Sequence, residues 1–268
     1  MKKGVFEIVD NVALTESVYK MTLSGDVSDI TAPGQFVNIQ LDGLYLRRPI
    51  SVCDVSSNTV TIIYKVVGKG TKQMAQMKSG QLDVLTGLGN GYDMSVAGDK
   101  PVLLGGGVGV PPMYLLAKRL IEQGKQVKVI LGFNTKSEVF CEDEFKALGA
   151  DVTVTTVDGS YGMKGFVTDA LADMDYTYFY TCGPEPMLKA IYKVSKTSGQ
   201  LSFEKRMGCG LALAWAAPAR RLPDTSVFVR KVRLCERRRS CGKTKCESLR
   251  DRTGQPGDSC IRNLWFWL

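Results

Sequence analysis

Short runs of alternating apolar and polar residues fill the first third of the chain. The alternation covers residues 5–9, 18–23, 35–41 and 59–66, and Gly, Asp and Pro residues separate these runs. A period of two is typical of strands that bury one face, and turn residues at this spacing indicate short, regularly spaced strands. One helix is predicted over residues 70–77, with Thr71 as its N-cap. The pattern predicts a small antiparallel β-barrel domain over residues 1–97.

From residue 98 the pattern changes to continuous apolar runs that alternate with amphipathic stretches. The apolar runs predict strands over residues 102–104, 126–132, 152–156 and 178–182. The amphipathic stretches predict helices over residues 113–123, 142–148 and 166–171, and another helix opens after Pro184. Such an alternation forms a parallel, doubly wound sheet, which we expect over residues 98–204. Ligands of these sheets bind beyond the carboxyl ends of the strands.

The main candidate for a ligand-binding site is a glycine-rich loop that follows the first of these strands. Four glycines stand within five positions, as Gly105, Gly106, Gly107, Val108 and Gly109, and an amphipathic helix follows. Glycines let backbone N–H groups approach a pyrophosphate closely, and a helix N-terminus favours its negative charge. The alternative from these residues alone is a tight turn without a ligand.

The last predicted strand ends in Cys182, Gly183 and Pro184. Because ligands bind at the carboxyl ends of the strands, this loop should face the same site as the glycine loop. Cys182 would then line a nicotinamide pocket, and the alternative is a small buried hydrophobic residue.

Inside the predicted barrel, Arg47 and Arg48 precede Pro49, Ile50 and Ser51. Two arginines at a strand end, then a proline that keeps the backbone extended, then a hydroxyl, suit a diphosphate. Arginine binds phosphate with a planar fork of donors, and Ser51 adds another donor. The alternative is a solvated edge strand that its proline protects from pairing.

Two further features of the barrel suit a flavin nucleotide. Ile63, Tyr64 and Lys65 lie in a predicted strand, whose aromatic side chain is suited to cover a flavin ring. Gly70 and Thr71 follow in a glycine turn that opens a helix, which suits a phosphate. Each feature alone is usual for a strand or a turn, and the pair in this order is much less common.

Charge divides the chain at Leu211. Up to that residue 22 Lys and Arg balance 22 Asp and Glu, whereas residues 212–268 hold 13 against 5, so the tail carries the whole formal charge of +8. A uniform excess would indicate a nucleic-acid partner, but a neutral body with a basic end does not, and we expect none. The chain has no histidine, which favours chemistry carried by a cofactor.

No apolar run reaches the roughly 18 residues of a membrane span, so we expect no membrane partner. The first four residues, Met1-Lys2-Lys3-Gly4, lead into a strand pattern and not into an apolar signal segment. This start indicates a cytoplasmic protein.

The motifs follow one another as in the ferredoxin reductase superfamily, which the chain resembles over about residues 5–210. The resemblance implies an FAD-binding barrel followed by an NAD(P)-binding domain. Within the superfamily, Ile50 and residues 203–210 are similar to the electron-transfer subunits of NAD-dependent dihydroorotate dehydrogenase. The resemblance assigns FAD to Arg48, Pro49, Ile50, Ser51, Ile63, Tyr64, Lys65, Gly70 and Thr71. It assigns NAD to Gly105, Gly106, Gly107, Val108, Gly109, Cys182, Gly183 and Pro184.

Such subunits, by resemblance, act in pyrimidine biosynthesis beside an FMN-containing dihydroorotate dehydrogenase catalytic subunit, in a heterotetramer. Electrons would cross a [2Fe–2S] cluster, collect on FAD and leave as hydride to NAD+, with no side chain acting as acid or base. Other hypotheses are an NAD(P)H-dependent flavin or ferredoxin reductase of another complex, a basic-tailed nucleic-acid-binding protein, and an inert product of a damaged gene. NAD and NADP stay open, since Asn134, Lys136 and Ser137 suit either ribose.

The resemblance breaks where the family continues with three cysteines in C-x4-C-x2-C spacing and a distant fourth, which hold the cluster. Cys209 fits the first position, but Ala214 and Ala217 occupy the next two and cannot bind iron. We therefore expect residues 205–268 to be a disrupted cluster-binding region with an irregular basic tail, in which Cys209 is the one remaining metal ligand. Cys241 and Cys246 repeat the C-x4-C spacing without its continuation.

A reading-frame slip at the Leu211 codon would account for this break. With one base missing there, the codons of residues 211–221 permit the string LGACMGCSCKT, which has the family's cysteine spacing. Over residues 224–234 the other frame permits GYKRICKEGPV, with the fourth cysteine where Val229 stands. Out-of-frame sequence has no selected pattern and is not expected to bury a core.

Overall fold

Six antiparallel strands of the computed structural model close into a barrel, in the order β1-β2-β5-β4-β3-β6. They are β1 Lys2–Ala13, β2 Val18–Ser24, β3 Phe36–Gln40, β4 Arg48–Val55, β5 Thr59–Lys65 and β6 Gln81–Leu88. The structure describes residues 1–204 and, for residues 227–232, the backbone alone. The alternation seen in the sequence is visible in β2, where Met21 and Leu23 are fully buried while Thr22 between them is partly exposed. The predicted barrel is confirmed.

Strand β1 is longer than its alternating pattern predicts. It pairs with β6 through its first half and with β2 through its second, and its register shifts between Ile8 and Asp10. A register shift of this kind bends a strand and increases its twist, which lets one strand pair with a neighbour on each side. The irregularity interrupts the alternation and hides the full length of β1 from a pattern search.

The single helix of the barrel half, α1 (Lys69–Gln76), lies between β5 and β6. Its N-cap is Gly68, and Thr71 is the third helical residue. The Thr71 hydroxyl accepts hydrogen bonds from the backbone N–H groups of Val67 (3.0 Å) and Gly68 (3.2 Å). The prediction that Thr71 is the N-cap is wrong, because its side chain reaches back to the cap from inside the helix.

The second half of the chain forms a seven-stranded sheet in the order β10-β9-β8-β7-β11-β12-β13. Its strands are β7 Pro101–Gly106, β8 Lys128–Phe133, β9 Asp151–Thr156, β10 Met163–Lys164, β11 Tyr178–Cys182, β12 Gly199–Glu204 and β13 Val227–Val232. Its helices are α2 Pro111–Glu122, α3 Glu142–Ala147, α4 Val167–Ala172 and α5 Glu185–Val194. All neighbouring strands are parallel except β12 and β13. No helix in the described part of the chain is long and apolar enough to cross a membrane.

The strand order places the two glycine-containing loops side by side. From β7 at the centre the chain runs outward through β8 and β9, and then returns to β11 on the other side of β7. Such a reversal is the topological switch point at which doubly wound sheets bind ligands. The loops after β7 and β11 leave the sheet at this point. The predicted parallel, doubly wound sheet is therefore confirmed.

Barrel and sheet share one apolar core. Val18, Cys53 and Ile63 of the barrel belong to the same buried cluster as Leu103 of β7 and Leu116 of α2. Each fully buried leucine stabilises the fold by roughly 1.5–3 kcal/mol relative to an exposed one. Across the same junction, the Lys118 ammonium donates to both carboxylate oxygens of Asp54, at 2.9 and 3.1 Å. These contacts join the two halves of the described chain.

An unexpected strand, β13, lies in the segment for which the sequence predicts an irregular tail. Val227–Val232 pairs antiparallel with the whole of β12, from Gly199 opposite Val232 to Glu204 opposite Val227. Its sequence, VFVRKV, is rich in β-branched residues, which favour an extended backbone beside the free edge of β12. The prediction of an irregular tail is therefore wrong for these six residues. The other predictions for residues 205–268 lie outside the described residues.

Candidate functional site

The glycine loop and the Cys182 loop touch each other through their backbones. A Cβ atom built on Gly109 would overlap the Cys182 carbonyl oxygen and lie 2.5 Å from the carbonyl carbon of Cys182 and 2.7 Å from Gly183 Cα. Likewise a Cβ on Gly106 would overlap the Met187 sulfur. Glycine is needed at Gly109 because the opposing groups there are main chain and cannot move aside, whereas the flexible end of the Met187 side chain lies opposite Gly106. The expectation that both loops face one place is therefore met in the geometry.

The start of α2 has few backbone donors of its own. Pro111 and Pro112 have no N–H group, and the Met113 N–H donates to the Val110 carbonyl oxygen at 3.0 Å. Any backbone N–H donor for an anion at this end must therefore come from the preceding turn, Gly107–Gly109. The sequence argument relied on the N–H groups of the helix N-terminus, whereas in the structure the N–H groups left for an anion are those of the turn. The helix dipole would add to their attraction for an anion.

The turn itself is open to a ligand. Gly107 has φ +53°, and no heavy atom lies within 4 Å of the position that its Cβ would take. Val108 beside it is 38% exposed. Among the glycines of this loop, Gly109 is thus required by close packing against main chain, whereas Gly107 combines a left-handed backbone with free space in front of it.

Cys182 ends β11 between its two parallel neighbours, opposite Gly105 of β7 and Ser202 of β12. Its side chain is 2% exposed and belongs to the apolar cluster shared by barrel and sheet. The structure thus places the Cys182 backbone against the glycine loop and its thiol in the core. The role of Cys182, Gly183 and Pro184 in a nicotinamide pocket stays a prediction.

Tyr92 supports the Cys182 loop, and no pattern in the sequence indicates this role. Its ring is buried, its hydroxyl donates to the Thr181 carbonyl oxygen at 3.1 Å, and burial raises the Tyr92 pKa well above its ordinary value. A Cβ on Gly34, which has φ +86°, would lie 2.6 Å from the Tyr92 ring. The hydrogen bond from Tyr92 therefore ties the segment between β6 and β7 to Thr181, the residue just before Cys182.

The two adjacent arginines at the start of β4 have different surroundings, and only Arg48 belongs to the strand. The Arg47 guanidinium donates to the Asp83 carboxylate at 2.8 Å and to the Asn38 carbonyl oxygen at 3.1 Å, and its side chain is 12% exposed. Burial pushes the Asp83 pKa upward, but hydrogen bonds from Lys3 and Arg47 outweigh it and hold that pKa below its ordinary value. Arg47 therefore closes the barrel and is not available to a phosphate.

Arg48 reaches the first turn of α1 instead. A Cβ on Gly70 would overlap Arg48 Nε and lie 2.6 Å from Arg48 Cζ, so the guanidinium occupies the space that the glycine leaves. The Arg48 guanidinium donates to the carbonyl oxygens of Leu46 and Arg47. Two motifs that lie 22 positions apart in sequence thus meet, and a guanidinium beside a helix N-terminus is a suitable phosphate site.

The other residues predicted to bind the flavin differ in their burial. Pro49, Ile50 and Ser51 are half-buried in β4, opposite Asn38, Val37 and Phe36 of β3. Tyr64 is 2% exposed in the barrel core, and its hydroxyl donates to the Asn11 side-chain oxygen at 3.1 Å. Ile63 faces the shared core, and Lys65 is exposed. The Tyr64 ring therefore packs inside the barrel, and its contact with a flavin stays a prediction.

Strand β5 brings the barrel to the glycine turn. The strand contacts Gly107–Gly109, and Lys65 Nζ at its end lies 4.0 Å from an oxygen of Glu138, which follows β8. The end of barrel strand β5 therefore lies beside the glycine turn and beside the carboxyl end of β8. A nucleotide on the sheet and one on the barrel would come together there.

The cysteine spacing that holds the family's cluster is interrupted in this sequence. Cys209 lies outside the described residues, and alanines stand at positions 214 and 217 where cysteines are needed. Within residues 1–204 no three Cys, Asp or Glu side chains are grouped as metal ligands. The cysteine spacing of the sequence does not fit the family's [2Fe–2S] site, whereas the glycine loops around Gly70 and Gly109 are suited to nucleotide phosphates.

Known proteins share this architecture. Residues 103–193 match the oxidoreductase NAD-binding domain family. A crystal structure of a ferredoxin NADP+ reductase from Neisseria gonorrhoeae with bound FAD and NADP has the same fold, with a TM-score of 0.63 and 18% identity over 72% of this chain and 90% of that one. An NADH-dependent reduced ferredoxin-NADP oxidoreductase, studied for flavin-based electron bifurcation, is more similar. It shares 32% identity, with a TM-score of 0.70, over 78% of this chain and 79% of that one.

Similarity in sequence identifies a narrower group. The electron transfer subunit of dihydroorotate dehydrogenase B (NAD(+)) from Fusobacterium nucleatum subsp. nucleatum is 46% identical over 224 residues, which cover 78% of this chain and 86% of that protein. The counterpart from Bacillus pumilus is 44% identical over 228 residues, covering 81% and 88%. This chain belongs to the family of dihydroorotate dehydrogenase B electron transfer subunits, on the FAD- and NAD-binding fold of ferredoxin reductases.

Proposed function

We propose that this chain is the flavin-containing oxidoreductase subunit of a dihydroorotate dehydrogenase, with FAD on the barrel and NAD on the sheet. The observation that carries the proposal is the contact of Gly109 with Cys182 and Gly183 at the switch point, beside the end of β5. This contact joins the two loops predicted to bind NAD, next to the end of barrel strand β5. When bound, FAD accepts and donates electrons in the exchange with NAD.

The residues of the chain bind and orient, and none of them transfers a proton. Arg48 at the first turn of α1 would hold an FAD phosphate, supported by Ser51 and by the backbone around Gly70 and Thr71. On the sheet, the N–H groups of the Gly107–Gly109 turn would hold the NAD pyrophosphate. The apolar core shared by barrel and sheet excludes water from the junction.

We propose further that residues 1–97, 98–204 and 205–268 are the flavin domain, the NAD domain and a disrupted cluster region. The partner would be a catalytic subunit, which the relatives' description as electron transfer subunits supports. We propose that this partner contains FMN and forms a heterotetramer with the chain. Because alanines replace two of the family's cluster ligands, at positions 214 and 217, we infer no electron transfer through a cluster in this chain. Resequencing the gene at the Leu211 codon tests the frame slip, which predicts one additional base.

A pair of variants tests the flavin site. Arg48→Ala removes the guanidinium beside α1 and should weaken FAD binding about tenfold to hundredfold, since a charge-assisted phosphate contact contributes roughly 1.5–3 kcal/mol. Arg47→Ala removes the bond to Asp83 and should lower the free energy of unfolding while FAD affinity in the folded protein changes little. Flavin binding is measured by fluorescence titration of the apoprotein. Equal loss of FAD affinity in both variants would contradict the assignment.

One observation favours a second function, an NAD(P)H-dependent flavin or ferredoxin reductase of another complex. The ferredoxin-NADP oxidoreductase studied for electron bifurcation is 32% identical to this chain, and the match covers 78% of this chain and 79% of that one. Co-expression with candidate partners distinguishes the two functions. Co-purification with a dihydroorotate-oxidising FMN subunit supports the first, and co-purification with a different redox partner supports the second.

A further inference from the structure

The end of β8 carries a carboxylate that its position in sequence conceals. The strand ends at Phe133, and the next residue is Asn134, so no acidic residue follows the strand directly. Glu138, four residues later, folds back to this point. Its Oε2 accepts hydrogen bonds from the backbone N–H of Asn134 at 3.2 Å and from Asn134 Nδ2 at 2.8 Å. The carboxylate therefore lies at the carboxyl end of β8.

The turn that carries Glu138 is held in place on both sides. The Glu138 N–H donates to the Thr135 carbonyl oxygen at 3.1 Å, and the Lys136 N–H donates to the Ser160 hydroxyl at 2.8 Å. Ser160 in turn donates to the Asp158 carboxylate at 2.7 Å. The position of the carboxylate is thus set by the backbone of the turn and by the loop after β9.

Two lysines lie nearby, and each has a defined partner. Lys136 Nζ lies 5.6 Å from the centre of the Tyr161 ring, a cation–π distance, and Lys65 Nζ lies 4.0 Å from Glu138 Oε1. The Lys65 charge is therefore opposed by the Glu138 charge, and Lys136 is drawn to the aromatic ring. Neither ammonium is positioned as a dedicated phosphate ligand.

The place of this carboxylate matches one part of a dinucleotide. β8 is the direct neighbour of β7, with Gly132 opposite Gly106, so the ends of the two strands are adjacent. A dinucleotide whose pyrophosphate lies at the Gly107–Gly109 turn places its adenosine ribose beyond the neighbouring strand. An acidic group there accepts a hydrogen bond from a ribose 2′-hydroxyl and repels a 2′-phosphate. Each carboxylate oxygen keeps a further lone pair for such a bond.

We propose that Glu138 is the residue that selects NAD over NADP in this chain. The inference rests on the proposed function, since it assumes that a dinucleotide binds at the glycine turn. Glu138 receives the ribose 2′-hydroxyl of NAD, and its charge excludes the 2′-phosphate of NADP. Asn134 is a positioning residue, because it holds the carboxylate at the strand end.

The test replaces the Glu138 carboxylate with an amide of the same length and makes the same replacement at a control position. Glu138→Gln removes the charge, and Glu122→Gln, an exposed residue at the far end of α2, is the matched control. FAD-loaded protein is assayed for dye reduction by NADH and by NADPH. We expect Glu138→Gln to lower the NADH-to-NADPH ratio of kcat/KM at least about tenfold, mostly through KM, because one charge-assisted hydrogen bond is lost and one repulsion is removed. The control should keep the ratio of the unaltered protein.

A second readout measures binding without turnover. ADP-ribose and its 2′-phosphate are titrated calorimetrically into the same proteins, and the unaltered chain should bind ADP-ribose more tightly. A Glu138→Gln variant with an unchanged preference for ADP-ribose, or an unaltered chain that prefers the 2′-phosphate, overturns the proposal. If the unaltered chain binds neither probe and NADH does not reduce its flavin, the proposed function fails together with the inference. Binding of both probes with equal affinity refutes only the role of Glu138.

Discussion

Gly109→Ala is the substitution that best isolates the contact between the two dinucleotide loops. The added Cβ would overlap the Cys182 carbonyl oxygen and lie 2.5 Å from the Cys182 carbonyl carbon, whereas real Cβ atoms keep at least 3.0 Å from their neighbours. The two backbones must therefore separate by at least 0.5 Å, the difference between these distances. Both opposing groups are main chain and cannot rotate away.

The expected result is a loss of NADH oxidation with FAD binding intact. A displacement of about 1 Å between reacting groups costs about 100-fold in rate, so a half-ångström separation should cost about tenfold or more in kcat/KM for NADH. The barrel is untouched, and the flavin content should stay equal to that of the unaltered protein. The assay is anaerobic reduction of the bound flavin by NADH, followed by stopped-flow absorbance.

Val108→Ala is the matched control on the same turn. Val108 is partly exposed, and its truncation leaves the backbone path unchanged, so kcat/KM for NADH should change by about twofold or less. An unchanged kcat/KM in Gly109→Ala would contradict the reasoning, because the loops would then not need their present distance. A loss of flavin in Gly109→Ala would likewise contradict the reasoning, because the added Cβ would then act on the barrel through β5 and not on the NAD site alone.

Three further predictions concern the stability and reactivity of the fold. Asn11→Leu should lower the free energy of unfolding by about 3 kcal/mol in urea titrations, because its buried amide donates to the carbonyl oxygens of Met74 and Met77 at 2.8 Å and accepts from Tyr64. Burial raises the Tyr64 pKa to about 12, so the free energy of unfolding should fall as the pH rises from about 10, where an unfolded tyrosine ionises, through about 12. Burial also raises the Cys141 pKa to about 12, so iodoacetamide at about pH 8 should alkylate this thiol slowly in the folded protein, as peptide mapping would show.

Each of these predictions has its own control. Asn58→Leu, at an exposed turn, should leave the unfolding midpoint almost unchanged, and an equal effect of both asparagine variants would remove the special role of Asn11. The alkaline loss of stability should be smaller in Tyr64→Phe, and an identical pH profile would show that Tyr64 ionises as freely in the folded as in the unfolded chain. Cys141 should react rapidly once the chain is unfolded in urea. Equal rates with and without urea would contradict its burial.

The sequence was sufficient for the features that depend on backbone order. Alternation of period two predicted the barrel, and strands alternating with helices predicted the doubly wound sheet. The meeting of Gly109 with Cys182 followed from the rule that parallel strands present their carboxyl ends on one edge. These features are set by local periodicity and by chain topology, and both are legible in one sequence.

The features that depend on side-chain partners were beyond the sequence. Arg47 and Arg48 are adjacent and chemically alike, but Asp83, 36 positions away, binds Arg47 and leaves Arg48 beside Gly70. Tyr64 looks equally suited to a flavin or to a core, and only the buried Asn11 amide shows that it packs inside the barrel. Contacts between residues so far apart in sequence follow from the folded arrangement and not from any local pattern.

Glu138 and β13 illustrate two other limits. A search for an acidic residue directly after β8 finds Asn134, because the carboxylate arrives from four positions later through a turn. The six residues of β13 lie in a segment with no selected pattern in our frame-slip hypothesis, and they nonetheless complete the edge of the sheet. An extended, β-branched segment needs only a free strand edge to pair.

Anaerobic addition of NADH to the purified, FAD-supplied protein tests the central claim most directly. We predict that the chain takes up one FAD, shows the visible absorption of a bound flavin, and loses that absorption when NADH is added. A chain that stays colourless with excess FAD, or one that binds FAD and keeps its full flavin absorption in the presence of NADH, would contradict the claim that the two nucleotides meet at the junction of barrel and sheet.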